Sequence, residues 1–263
     1  MINSLPKIEL HCHLDGSVRI ETIIDIAKKQ KIELPFYDYE KLKNKITVKD
    51  ECSNLNEYLE KFDIANKVMQ TKDSLERISY ELLEDANSEN VKYMEIRFAP
   101  QLHTKNNLSY KDTVKSVIDG IKKAEKDFEI KANIIVSIMR NFSIESAFEV
   151  INECREFIGK GVVAVDLVSV EYEGFSNDFI DLIKKAKEYG YNITIHAGEQ
   201  GSYKNVIEAI DLLGASRIGH GVKIENHKEA IEIVKKNNVL LEMCPTSNIQ
   251  TKNAKDYKTY PFY

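Results

Sequence analysis

The sequence predicts a parallel α/β fold of the (β/α)-barrel type. From Val91 onward, apolar runs of strand length alternate with amphipathic helical segments, the pattern of successive βαβ units. Those runs are apolar throughout, as strands covered on both faces are. The length of 263 residues suits one α/β barrel domain. No repeat, low-complexity tract or linker interrupts the chain, so residues 1–263 are expected to form a single domain.

The first strand runs through Ile8-Glu-Leu-His11-Cys-His13-Leu-Asp15-Gly16. Side chains alternate along a strand, so His11 and His13 share a face. From Val18 to Asn90 the chain reads as mostly helical. Ile20, Ile23, Ile24 and Ala27 keep helical spacing, residues 35–39 break it, and 55–62 and 75–87 resume it. Two or three helices here make an insertion after the first strand, of a size that often covers a site. Tyr58, Leu59 and Phe62 lie in it and read by pattern as core.

Strands are then expected at 91–100, 132–139, 162–168, 192–196, 217–220 and 239–243. The helices between them fall at 110–127, 143–157, 178–189, 203–213 and 227–236. Ser143 is placed as an N-cap and Gly190 as a C-terminal stop, while Pro245 ends the last strand. That makes seven strands, one short of the eight in a complete barrel.

Composition excludes several classes. Net charge is −5 with Lys and Glu interspersed, so no basic surface for nucleic acid or anionic membrane is expected. No apolar run approaches a membrane span, and the first dozen residues lack a signal-peptide pattern. The four cysteines are scattered without a Cys-x-x-Cys, which argues for free thiols and a cytoplasmic protein.

Polar residues interrupt the apolar runs at strand ends. These are His11 and His13 on the first strand, Glu95 and Arg97 on the second, His196-Ala-Gly-Glu199 on the fifth, and Gly219-His220-Gly221 on the sixth. In a parallel barrel the C-terminal strand ends share the face that carries the active site. Four of six histidines therefore converge, leaving His103 and His227 as solvated loop or helix-start residues. Three neutral imidazoles and an open position suit catalytic zinc or another first-row divalent ion. Such an ion lowers the pKa of a bound water to about 7. His11 and His13 are the paired ligands and His196 the natural third, with His220 free to orient the water. Glu199 reads either as a proton donor beside the metal or as a helix-start carboxylate.

His11-Cys-His13-Leu-Asp15-Gly16, Glu95-x-Arg97-x-x-Pro100, His196-Ala-Gly-Glu199, Gly219-His220-Gly221 and Cys244-Pro-Thr-Ser-Asn248, in that order, resemble the adenosine deaminase family of the amidohydrolase superfamily. The resemblance covers essentially the whole chain. It implies a (β/α)₈ barrel, one zinc per chain and hydrolytic removal of the 6-amino group of adenosine or deoxyadenosine. By the same resemblance His11, His13 and His196 hold zinc, Glu199 protonates the purine at N1, and His220 orients and activates the water. Asp15 lies near the ribose 5′-hydroxyl, and Tyr58, Leu59 and Phe62 form an apolar lid. Binuclear members of the superfamily use a carboxylated lysine on the fourth strand. Residues 162–168 contain none, so one metal is expected.

Two departures from the family pattern stand out. The family's glycine after the fourth strand, whose N–H meets the purine, is Ser169 here, in Asp166-Leu-Val-Ser169-Val-Glu171. The family's aspartate-bearing eighth strand has no counterpart before Tyr263, so an incomplete barrel with association-prone edges is expected. The sequence thus sets adenosine deamination against two other readings. One is deamination of adenine or a modified adenine nucleotide; the other is an inactive purine- or metal-binding remnant.

Overall fold

A computed structural model describes residues 4–48 and 55–262. Cys52, one of the expected free thiols, lies outside the described residues; Cys12, Cys154 and Cys244 are free. The chain divides into two compact units. The first holds residues 1–49, 59–136 and 159–162, and the second 50–58, 137–158 and 163–263.

The strands are β1 (Lys7–His13), β2 (Val91–Phe98), β3 (Lys131–Met139), β4 (Val162–Val168), β5 (Asn192–Ala197), β6 (Arg217–His220) and β7 (Leu240–Glu242). They follow one another in sequence order. The pairs β1–β2, β2–β3, β4–β5, β5–β6 and β6–β7 are parallel. This is the topology of a (β/α) barrel with seven strands, as the alternation of runs predicts.

In the first unit, β1 is followed by α1 (Ile20–Gln30), α2 (Tyr39–Ile46), α4 (Phe62–Val68) and α5 (Lys72–Ser88). With α3 (Leu55–Leu59), whose last residue also belongs to this unit, five helices precede β2 among the described residues where two or three are expected. One part of the excess is α2, in a stretch the periodicity does not single out; the other arises at Glu60–Lys61. There the apolar face restarts with buried Ile64, Ala65 and Val68, splitting one expected segment into two short helices. Helix α6 (Tyr110–Asp127) begins at a capping box formed by Ser109 and Asp112. It lies close against α5. A Cβ at Gly120 would meet the Glu76 carbonyl oxygen at 2.1 Å, so only glycine permits that approach.

His103 contradicts the expectation of a solvated residue. It is fully buried, its ring 5.6 Å from that of Phe98. The reason is Pro100, which opens a 3₁₀ turn over 100–102 and folds the chain back over its own strand. His227 is exposed as expected, and its ring stacks on Tyr203 at 3.7 Å.

The second unit repeats short units of strand and helix: α7 (Ile144–Cys154), α8 (Ile180–Tyr189), α9 (Tyr203–Asp211) and α10 (Lys228–Lys236). Ser143 caps α7 by accepting from the Ser146 amide at 3.2 Å, and Gly190 ends α8 in the left-handed region at φ 98°. Past β7 the sequence gives only a stop at Pro245. The chain instead enters α11 (Pro245–Gln250), with Pro245 in the first turn, where a missing N–H costs nothing. Among the described residues no helix is long and apolar enough to cross a membrane.

Burial pushes the His103 imidazole from its ordinary value near 6.5 down to about 4. The folded state therefore favours the neutral ring, and its stabilising effect is lost as pH falls from 6.5 toward 4. Between pH 7 and 4.5 this one group should remove about 2–3 kcal/mol of stability. Urea unfolding of wild type and His103→Leu at both pH values checks this: the variant should lose less by that amount.

Candidate active site

In the first unit the site residues lie at the end of β1 and just beyond it. The rings of His11 and His13 are 5.4 Å apart, and both residues are half-buried. The carboxylate of Glu9 accepts from the His11 amide at 2.7 Å, within an irregularity of the β1–β2 ladder between Glu9 and Cys12. Cys12 turns to Ser17 at 3.4 Å, and burial pushes its thiol up to about 11. It is a neutral packing residue at physiological pH, not a thiolate ligand. Arg97 is fully buried and donates to the Leu10 carbonyl at 2.7 Å, tying β2 to β1.

Burial also raises the Asp15 carboxyl to about 6. Beside it, the ring of Phe62 approaches Gly16 so closely that a Cβ there would sit 2.7 Å from Phe62 Cε1. Leu59 and Phe62 are half-buried rather than core, which differs from the reading by pattern alone. Tyr58, in the second unit, is half-buried as well.

The second unit gathers the rest. His196, at the end of β5, is 5% exposed. Its Nδ1 stands 2.8 Å from Oδ2 of the fully buried Asp166 on β4, and its amide donates to the other carboxylate oxygen at 3.1 Å. A carboxylate on Nδ1 leaves Nε2 as the open ligand atom, the usual arrangement behind a metal-bound histidine. The His220 ring is 5.2 Å from that of His196. His220 adopts φ 68° and Gly221 φ 66°, two successive left-handed residues that turn the chain out of β6. Strain of this kind at a non-glycine residue gathers at functional sites.

Glu199 is 7% exposed, with Oε2 3.6 Å from His220 Nε2. Burial raises its pKa; the charge of Glu171 adds to the rise, and those of His220 and Arg140 oppose it. Its protonated form is thereby favoured, as a proton donor requires. The alternative of a helix-start carboxylate does not hold, because α9 is capped by Ser202 and begins at Tyr203.

The Glu199 loop is organised by one carboxylate. Glu171 accepts from the amides of Gly198 at 2.9 Å, Glu199 at 2.8 Å and Gln200 at 3.1 Å, and from Asn205 Nδ2 at 2.9 Å. Arg140, buried just past β3, donates to the carbonyl of Ser169 at 2.6 Å and also to that of His196. Its guanidinium lies 4.2 Å from the ring centre of Phe175. Ser169 itself sits at φ 81°, a conformation that suits the glycine of the family pattern.

His11 and His13 in the first unit, and His196 and His220 in the second, each offer an imidazole nitrogen of the kind a metal ion takes. The ligand atoms of His196 and His220 lie within 4.8 Å of each other. Asp166, Glu171, Arg140, Asn248 and Tyr260 have structural roles here that the sequence reading did not assign. Asp166 and Glu171 flank Ser169 in a run already singled out, and Arg140 is a charge directly after an apolar strand, so a signal existed for each of these.

Imidazoles and a buried, neutral-leaning carboxyl at the ends of parallel strands equip a metal-dependent hydrolase. The pattern of the adenosine deaminase family matches residues 6–263. An adenosine deaminase of Clostridium botulinum (strain 657) is 56% identical over 258 residues, covering 98% of this chain and 78% of that protein. Among solved structures, an adenine deaminase from Arthrobacter aurescens superposes with a TM-score of 0.89 at 28% identity, over 97% of this chain and 77% of its own. An amidohydrolase from Burkholderia ambifaria with bound zinc gives 0.82 at 25% identity, over 95% and 68%. The chain belongs to the adenosine deaminase family.

Replacing Glu171 by Gln puts an amide N–H₂ among backbone donors and should loosen residues 198–200. A misplacement near 1 Å costs about 10²-fold in rate. Glu171→Gln is therefore expected to lower kcat by that order with KM changed only a few-fold, measured by steady-state kinetics.

Proposed function

We propose that the chain is an adenosine deaminase, converting adenosine or deoxyadenosine with water to the inosine product and ammonia. The observation that carries this is Glu199, a carboxyl biased toward its protonated form and facing His220, in a chain 56% identical to a named adenosine deaminase. On this reading Glu199 gives its proton to the purine ring nitrogen beside the carbon under attack. The C6–N bond of the resulting adduct then breaks, and the amine, taking up the proton that the attacking water gave up, leaves as ammonia. His220 fixes the direction of the attacking water. Asp15 takes the ribose 5′-hydroxyl, and Tyr58, Leu59 and Phe62 cover the base and keep bulk water out. The backbone N–H of Ser169 meets the purine ring.

The donors proposed for a single zinc ion are His11, His13 and His196. The support is chemical: neutral imidazoles, one of them backed by a buried carboxylate, are the donor set such ions take. The chemistry supplied by that ion, when bound, is Lewis acidity and a water made nucleophilic near neutral pH. Free thiols at Cys12, Cys154 and Cys244 support a reducing, cytoplasmic setting. We take residues 1–263 to act as one catalytic domain.

Inosine formation, followed by the fall in adenosine absorbance, tests the assignment, with adenine and AMP as competing substrates. The highest kcat/KM is expected for adenosine; a preference for adenine would move the chain toward the Arthrobacter aurescens relative. Glu199→Gln should cut kcat by about 10²–10⁴-fold, the range of a lost general acid. Dialysis against a strong chelator should abolish turnover, and stoichiometric zinc should restore it.

A further inference from the structure

Asn248 and Tyr260 are both buried, Asn248 against His220 and Tyr260 against Asn248. The Tyr260 hydroxyl lies 2.7 Å from Asn248 Oδ1, and Asn248 Nδ2 lies 3.0 Å from His220 Nδ1. An amide oxygen can only accept and an amide nitrogen only donate. The tyrosine hydroxyl, donating to Oδ1, fixes which way the amide faces. The amide N–H must then donate to Nδ1, which makes Nδ1 an acceptor. A neutral imidazole with an acceptor at Nδ1 carries its proton on Nε2. Nε2 is the atom 3.6 Å from Glu199 Oε2.

We infer that Tyr260 and Asn248 are positioning residues that hold His220 in its Nε2–H tautomer, making it a hydrogen-bond donor to the attacking water rather than a metal ligand. This rests on the deaminase reading of the site and deepens it. Nitrogen bearing a proton has no lone pair for a metal. The tautomer therefore separates His220 from His196, whose Nδ1 faces the Asp166 carboxylate. Two buried histidines with centroids 5.2 Å apart thus have opposite proton placements, each set by the group behind it. The backing groups explain the division: a carboxylate stands 2.8 Å from Nδ1 of His196, and an amide N–H donates to Nδ1 of His220.

The test is the imidazole ¹⁵N spectrum of the full-length, metal-free protein at pH 8, with His220 assigned by comparison with His220→Gln. Long-range ¹H–¹⁵N correlations distinguish a protonated from an unprotonated ring nitrogen. The expected pattern for His220 is a protonated Nε2 and an unprotonated Nδ1, unchanged when zinc is added. Asn248→Asp presents only acceptors and should transfer the proton to Nδ1. Tyr260→Phe frees the amide to turn and should give a mixture. In both variants kcat should fall while KM for adenosine changes little. In the serine-protease triad a wrong tautomer costs about 10⁴-fold, so a loss of at least tenfold is expected in Asn248→Asp. A protonated Nδ1 in wild type, or an unchanged His220 pattern in a folded Asn248→Asp, overturns the inference. If Asn248→Asp does not fold, the wild-type and Tyr260→Phe spectra decide. Absence of adenosine turnover would remove the functional reading, while the metal-free spectrum would still decide the tautomer.

Discussion

Three consecutive backbone amides, those of Gly198, Glu199 and Gln200, point at one carboxylate, Glu171, and the second unit's chemistry is arranged around that convergence. Buried backbone donors need partners. A loop leaving β5 cannot find them in the sheet, and Glu171 supplies them from the segment after β4. The consequence is electrostatic as well as geometric. Burial raises the pKa of Glu199, His220 and Arg140 oppose that rise, and the negative charge of Glu171 held against the loop offsets part of their opposition. The group that fixes the position of the acid thus also acts on its pKa, in the upward direction.

Charges this deep persist because each is answered. Arg140 is buried, and desolvation lowers its pKa, opposed by Glu171, Asp166 and Glu199. Its Nη1 and Nη2 donate to the carbonyls of Ser169 and His196, while its Nε makes no hydrogen bond among the described residues. Asp166 takes both the side chain and the amide of His196. Removing one member would leave another buried and unpaired, which costs more than the intact pair contributes. The polar network therefore behaves as a unit and keeps β4, β5 and the loops after them in one arrangement. Strain is carried in the same place. Ser169 and His220 both take left-handed backbone that L-residues avoid at roughly 1–2 kcal/mol each.

Most of the fold was legible because its signals are local. Apolar runs of five to ten residues locate β2 to β5 within a residue or two of their observed ends, and residues 110–127 match α6. What was missed depended on tertiary context. His103 carries no pattern that separates a solvated ring from one folded under a 3₁₀ turn. Pro245 is equally compatible with ending a strand and with opening a helix. Site residues divide in the same way. His11, His13, His196, Glu199 and His220 interrupt apolar strand ends and so can be seen in one dimension. Asn248 and Tyr260 matter only through a contact between residues 12 apart, and that contact reaches the chemistry through a third residue.

The same division shows why residue type alone cannot assign roles to His196 and His220. Both are strand-end histidines, both are nearly fully buried, and either could serve as a ligand. What distinguishes them is the partner on the far nitrogen: an acceptor behind His196 and, with Tyr260 setting the amide, a donor behind His220. A ring nitrogen's function is decided by its opposite number, so a metal ligand and a water-directing donor can stand side by side without exchanging roles. On the proposed reading, where the site both activates a water and aims it, that asymmetry would let two identical side chains do different work.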